Sequence, residues 1–104
     1  MGRRYEQQQT ATTDGAGSAT ATFRPSRYLD VASIVVSASG YSSRPSCAVY
    51  LDGVLWVSKP DGAAGSFTAD PGDRVQPGQV LTVVWSGAGV AGATCLAILR
   101  GSER

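Results

Sequence analysis

The chain contains no histidine. That removes the commonest general base, the commonest metal ligand, and every Ser-His or Cys-His nucleophile arrangement. Cysteine is nearly as scarce, with Cys47 and Cys95 alone, and their spacing matches neither a zinc site nor a redox CxxC pair. Both lie in apolar alternating runs, where a free thiol packs as a small hydrophobe, so free cysteines are the expectation. Charge is sparse too: nine Lys and Arg face eight Asp and Glu, a net +1. Such a balance does not support the phosphate neutralisation that nucleic-acid binding requires, so no nucleic-acid partner is expected. The start, "MGRRYEQQQTATT", lacks the apolar core of a secretory signal, and no segment is long and apolar enough for a membrane span.

What the chain has is glycine, thirteen in 104 residues, with many Ala, Ser and Thr between short β-branched runs. This is the composition of strands and tight turns. "YLDVASIVVSAS", residues 28–39, alternates with strand periodicity. "PSCAVYLDGVLWVS" places two apolar runs about Asp52-Gly53, the residue pair that a type I′ hairpin turn favours. Residues 79–87, "QVLTVVWSG", and 92–100, "GATCLAILR", read as strands joined by a Gly/Ala loop and are expected to pair as an antiparallel hairpin. A more polar hairpin, or an arm, is expected around Asp14-Gly15. Prolines 25, 45, 60, 71 and 77 all fall between the runs. The pattern predicts an all-β fold: a single antiparallel β-sandwich, jelly-roll or Ig-like, of about seven or eight short strands. Residues 1–12 are expected to form an N-terminal arm or edge strand, 13–100 the sandwich, and 101–104 a short frayed tail.

Little in the sequence reads as chemistry. Asp61, Asp70 and Asp73 each sit beside Gly or Pro, where Asp bonds its own backbone to shape a turn. "GAGVAG", residues 87–92, reads as a hairpin loop, because no helix follows it to present N–H groups to a phosphate. No cofactor, metal or enzymatic activity is expected. Arg24 and Arg27 flank Pro25, and with Arg3 and Arg4 they would form a basic patch if the N-terminal segment folds back. Trp85 alternates with Leu81 and Val83 and belongs in the core. Trp56, Tyr41 and Tyr5 lie near turns or the terminus, so each is either edge packing or an anchor for a subunit or sugar.

Four stretches, "TATTDGAGSATATF", "VASIVVSAS", "PSCAVYLDG" and "PGQVLTVVWSGAGVAGATCLAIL", together resemble a group of small β-sandwich virion structural proteins of tailed actinobacterial phages, over residues 9–99. "PGQVLTVVWSGA", residues 77–88, carries most of the likeness. The middle, "VSKPDGAAGSFTADPGDRV", is shorter and poorer in Asn and Asp than that group's. The resemblance implies a non-enzymatic capsid decoration or minor capsid protein, localised to the virion. Its partners would be the major capsid protein or neighbouring virion proteins, bound as a symmetric homo-oligomer, a trimer favoured. The expected interface is Arg3, Arg4, Tyr5, Gln7, Gln8, Gln9, Tyr41 and Trp56. A head-to-tail connector, a tail component and a host-glycan-binding fibre module are the alternatives.

Overall fold

A computed structural model describes residues 3–59, 61–69 and 73–103, so Pro60, Asp70 and Pro71 lie outside the described residues. Nine strands follow in order: β1 (Arg3–Thr12), β2 (Ala19–Phe23), β3 (Leu29–Ser39), β4 (Ser46–Leu51), β5 (Val54–Lys59), β6 (Ala64–Thr68), β7 (Arg74–Val75), β8 (Leu81–Ser86) and β9 (Thr94–Glu103). No helix occurs among the described residues. A five-stranded sheet runs β1-β9-β3-β6, with β7 also paired to β3, and a four-stranded sheet runs β2-β8-β4-β5. All pairs are antiparallel, and the two sheets pack as a β-sandwich.

Alternation builds the core. Leu81, Val83 and Trp85 of β8 face Ile34 and Val36 of β3 and Leu99 of β9 across the sandwich, with Phe23, Leu29 and Val49 filling around them. Each of these side chains is almost wholly shielded from water. A buried indole needs a partner for its N–H, and Trp85 Nε1 donates to Gly62 O at 3.0 Å. Asp52-Gly53 forms the turn between β4 and β5, with φ of 50° and 81°, the paired positive values of a type I′ turn. The Asp52 carboxylate accepts Val80 N–H at 2.8 Å, tying that turn to the approach to β8.

Three sequence expectations are corrected. β8 and β9 do not form a hairpin: β8 pairs with β2 and β4, β9 with β1 and β3, and residues 87–93 carry the chain from one sheet to the other. This crossing is pinned from outside. Ala88 O accepts N–H bonds from Ser42 and Ser43, Ala88 N–H bonds Gly17 O, and the Ser43 hydroxyl bonds Gly87 O. Thr13, a polar side chain buried in the sandwich, donates its hydroxyl to Val90 O at 2.7 Å and accepts Ala93 N–H at 2.9 Å. Likewise β1 and β2 lie in different sheets, so the turn at Asp14 is a second crossing instead of a hairpin. Its carboxylate accepts Ala16 and Ser18 N–H groups and closes that turn. Finally, Gly101, Ser102 and Glu103 are not a tail but the end of β9, paired to both β1 and β3. Gly101 is what lets β3 approach: a Cβ there would stand 2.2 Å from Asp30 O, beside the irregularity between Val31 and Ser33.

Candidate functional site

The outer face of the four-stranded sheet is defined by the residues that alternate with its core positions. One row across it reads Thr22, Thr82, Tyr50, Leu55, and the next reads Thr20, Val84, Ala48, Ser58. Ser86 and Ser46 begin a third, their hydroxyls 3.1 Å apart. None of these ten positions carries a charge. Leu55 is 55% exposed, and Val54 beside it on β5 is 70% exposed. The other sheet differs. Its outer face holds cross-strand ion pairs, Arg100 with Glu6 at 2.7 Å and Arg74 with Asp30 at 3.7 Å. Depletion of charge on one broad face, with aliphatic and Tyr side chains standing on it, is the compositional mark of a contact surface.

Trp56 sits at the margin of this face. In the β4–β5 ladder Val49 is opposite Val57 and Tyr50 opposite Leu55, which leaves Trp56 as the extra residue of a bulge. A bulge turns two consecutive side chains toward the same side. Trp56 and Val57 accordingly both line a cleft of about 520 Å³ between the β5 and β6 edges, floored by Val31, Ile34 and Phe67 and rimmed by Ser66, Thr68 and Asp73. The indole is half-buried and packs against the core.

The other proposed contact residues lie elsewhere. Arg3, Arg4, Tyr5, Gln7, Gln8 and Gln9 are all on β1, which is paired to β9 along its whole length. Tyr5 packs partly on the core, and burial, reinforced by the Glu103 carboxylate, pushes its phenol pKa up. Tyr5, Gln7 and Gln9 share a cleft of about 320 Å³ with Thr22, Phe23, Arg24, Pro25 and Ser26. Arg24 thus comes beside β1. Tyr41 is in the β3–β4 connection, where its hydroxyl accepts Arg44 Nη1 at 3.1 Å. The same guanidinium grips Asp61 through two bonds of 2.9 and 3.0 Å, and that hydrogen-bonded pair, aided by Ala63 N–H, holds the Asp61 carboxyl below the ordinary range. β1 borders β2, whereas β5 closes the far side of that sheet, so Trp56 and the β1 residues stand on opposite sides of the sandwich. They form no single site.

The acids are engaged in structure: Asp14, Asp52 and Asp61 each accept main-chain N–H bonds. Among the described residues no three His, Cys, Asp or Glu side chains are grouped to hold a metal. Cys47 and Cys95 are free thiols inside the core; burial, with Cys95 nearby, pushes the Cys47 pKa up to about 12. Thr20, Thr22, Ala48, Tyr50, Leu55, Thr82 and Val84 were not singled out from the sequence. The signal was there, as alternate positions without charge in four runs, but it becomes a face only once register aligns them.

No protein-family model matches the chain, and no curated protein matches it. Among solved structures, dimeric latent PorU from Porphyromonas gingivalis is similar over 97% of this chain and 13% of its own length, at 9% identity and TM-score 0.40. The exo-β-1,3-galactanase Pc1,3Gal43A from Phanerochaete chrysosporium, solved with galactose, is similar over 96% of this chain and 29% of its own, at 18% identity and TM-score 0.41. At such values neither bears on what this chain does.

Proposed function

We propose that the chain is a non-enzymatic structural protein of a phage virion, a capsid decoration or minor capsid protein that binds its neighbours as a symmetric oligomer. The observation that supports this reading most is the charge-free outer face of the four-stranded sheet, which includes the exposed Leu55. A sheet face with Tyr50 and Leu55 at one end and Thr and Ser hydroxyls around them can be covered without leaving a buried charge unpaired. The resemblance over residues 9–99 supports that setting, and the use of the Asp14, Asp52 and Asp61 carboxylates to accept main-chain N–H bonds favours adhesion over catalysis.

Antibodies raised against the recombinant chain should label tailed particles, and the chain should co-purify with them. Val84→Lys and Tyr50→Lys should each abolish rebinding to particles while leaving the far-UV circular dichroism unchanged. Purified particles that lack the chain, or rebinding by both variants, would sink the proposal. Deleting residues 2–12 would strip the whole of β1 from β9 and remove Tyr5 and Ala11, exposing the core surface they cover, so it does not separate binding from folding.

A second reading, a host-glycan-binding module, is favoured by the Trp56 bulge, which places an indole on the lining of a cleft with a polar rim. A glycan array with wild type and Trp56→Ala separates the two: loss of a specific glycan signal in the variant supports this reading, and no signal from the wild type removes it.

A further inference from the structure

Among the described residues, β1 borders one edge of the larger sheet and β6 and β7 the other, while β2 and β5 border the edges of the smaller. All of these but β1 are short or bulged. β2 and β6 have only five residues each, β7 has two, and β5 is bulged at Trp56. Shortness and bulges are among the devices that keep sheet edges from templating a further strand. β1 has none of them. It runs ten residues in unbroken register with β9, and from Gln7 to Thr12 it holds no charge and no proline.

The phase of the ladder tells which main-chain groups face the open side. Ala38 N–H donates to Ala63 O at 3.0 Å, and Thr13 N–H to Ala93 O at 2.9 Å. In an antiparallel ladder the bonding direction alternates residue by residue. Stepping from these two bonds through β3, β9 and β1, the odd-numbered residues of β1 bond β9. The even-numbered ones, Arg4, Glu6, Gln8, Thr10 and Thr12, direct their N–H and C=O groups outward.

We propose that β1 is a self-pairing edge: a second copy of the chain lays its own β1 antiparallel against it across a two-fold axis through Gln8, joining the two five-stranded sheets. A second copy presents the same unprotected edge, so one isologous contact covers both. Centring on Gln8 is the register in which all five outward residues find partners. It sets Gln8 opposite Gln8, Glu6 opposite Thr10, and Arg4 opposite Thr12, so no like charges meet. The contact is two-fold, where the sequence resemblance favours a trimer. It rests on the edge geometry alone and stands or falls apart from the virion reading.

Sedimentation velocity and light scattering on the isolated full chain test it. Wild type should sediment at twice the 10.7 kDa chain mass. Gln8→Lys and Gln8→Glu each place like charges together on the axis and should run as monomers with unchanged circular dichroism, and mixing the two should restore a dimer. Gln8→Pro, which removes one outward N–H and leaves the β9 ladder intact, should also be monomeric. A monomeric or trimeric wild type overturns the proposal. So do charge variants that remain dimeric, or a mixture that stays monomeric.

Discussion

Trp85 Nε1 donates its hydrogen bond to Gly62 O at 3.0 Å, binding the largest core side chain of β8 to the connection between β5 and β6. Gly62 is held close on its other side, where an added Cβ would stand 2.8 Å from Cys47 Cβ and 3.0 Å from Ser46 main chain. Trp85→Phe should cost about 1–3 kcal/mol, because it leaves a buried carbonyl without its donor, beyond the effect of lost volume. Gly62→Ala should cost a similar amount, roughly 1–3 kcal/mol, by overpacking. Urea unfolding of both variants checks this; a Gly62→Ala protein as stable as wild type would contradict the packing.

Thr13 organises the crossing between β8 and β9 through its hydroxyl, which donates to Val90 O and accepts Ala93 N–H. Thr13→Val keeps the shape and removes both bonds, so it should destabilise by about 1–3 kcal/mol. Thr13→Ser should retain most of the stability. Thermal unfolding of the pair distinguishes a hydrogen-bonding role from simple filling of space.

The core thiols should be inert in the folded protein. Cys47, pushed up to about 12 by burial, stays protonated at neutral and mildly alkaline pH, and Cys95 is raised in the same direction. A thiol-reactive dye at pH 8 is expected to label neither until denaturant is added. As pH climbs past the ordinary thiol value of 9.0 toward 12, the unfolded chain releases the Cys47 proton first, so stability should fall through that window.

The Arg44–Asp61 pair makes the opposite contribution at the acid side. Asp61 is held below the ordinary carboxylate range, first by its hydrogen bonds from Arg44 and then by Ala63 N–H. Below that range the unfolded chain takes up the proton more readily, so the stability this pair supplies is lost as pH falls through the folded value. Both side chains are exposed and the effect on unfolding should be small. Arg44→Ala should move the Asp61 titration, followed by carboxyl NMR, back toward the ordinary value, and an unmoved titration would show that the main-chain bond alone suffices.

Some of this was legible in the sequence. The Asp52-Gly53 turn, the inward Trp85 and the β3 periodicity are local properties, set by φ preferences and by alternation within a few residues. The sequence places Trp56 near a turn, and it lies on β5, an edge strand of the smaller sheet. Its aim was not legible, because a bulge is defined by the partner strand: only against Val49 and Tyr50 does Trp56 become the extra residue.

The sequence by itself determined the alternation of β3 and β8, that one tight hairpin joins β4 to β5, and that Asp14 and Asp61, each beside a Gly, shape turns. These follow from short-range sterics and hydrogen bonding. Tertiary structure decided which strands share a sheet. A Gly-rich connection such as residues 87–93 is compatible with a hairpin or a crossing, and the choice falls to distant partners: Thr13, Gly17, Ser42 and Ser43 bond that loop and send β9 to the other layer. From that decision come the charge-free face, the open side of β1 and the separation of Trp56 from Tyr5, none of which exists until non-adjacent strands are brought into register.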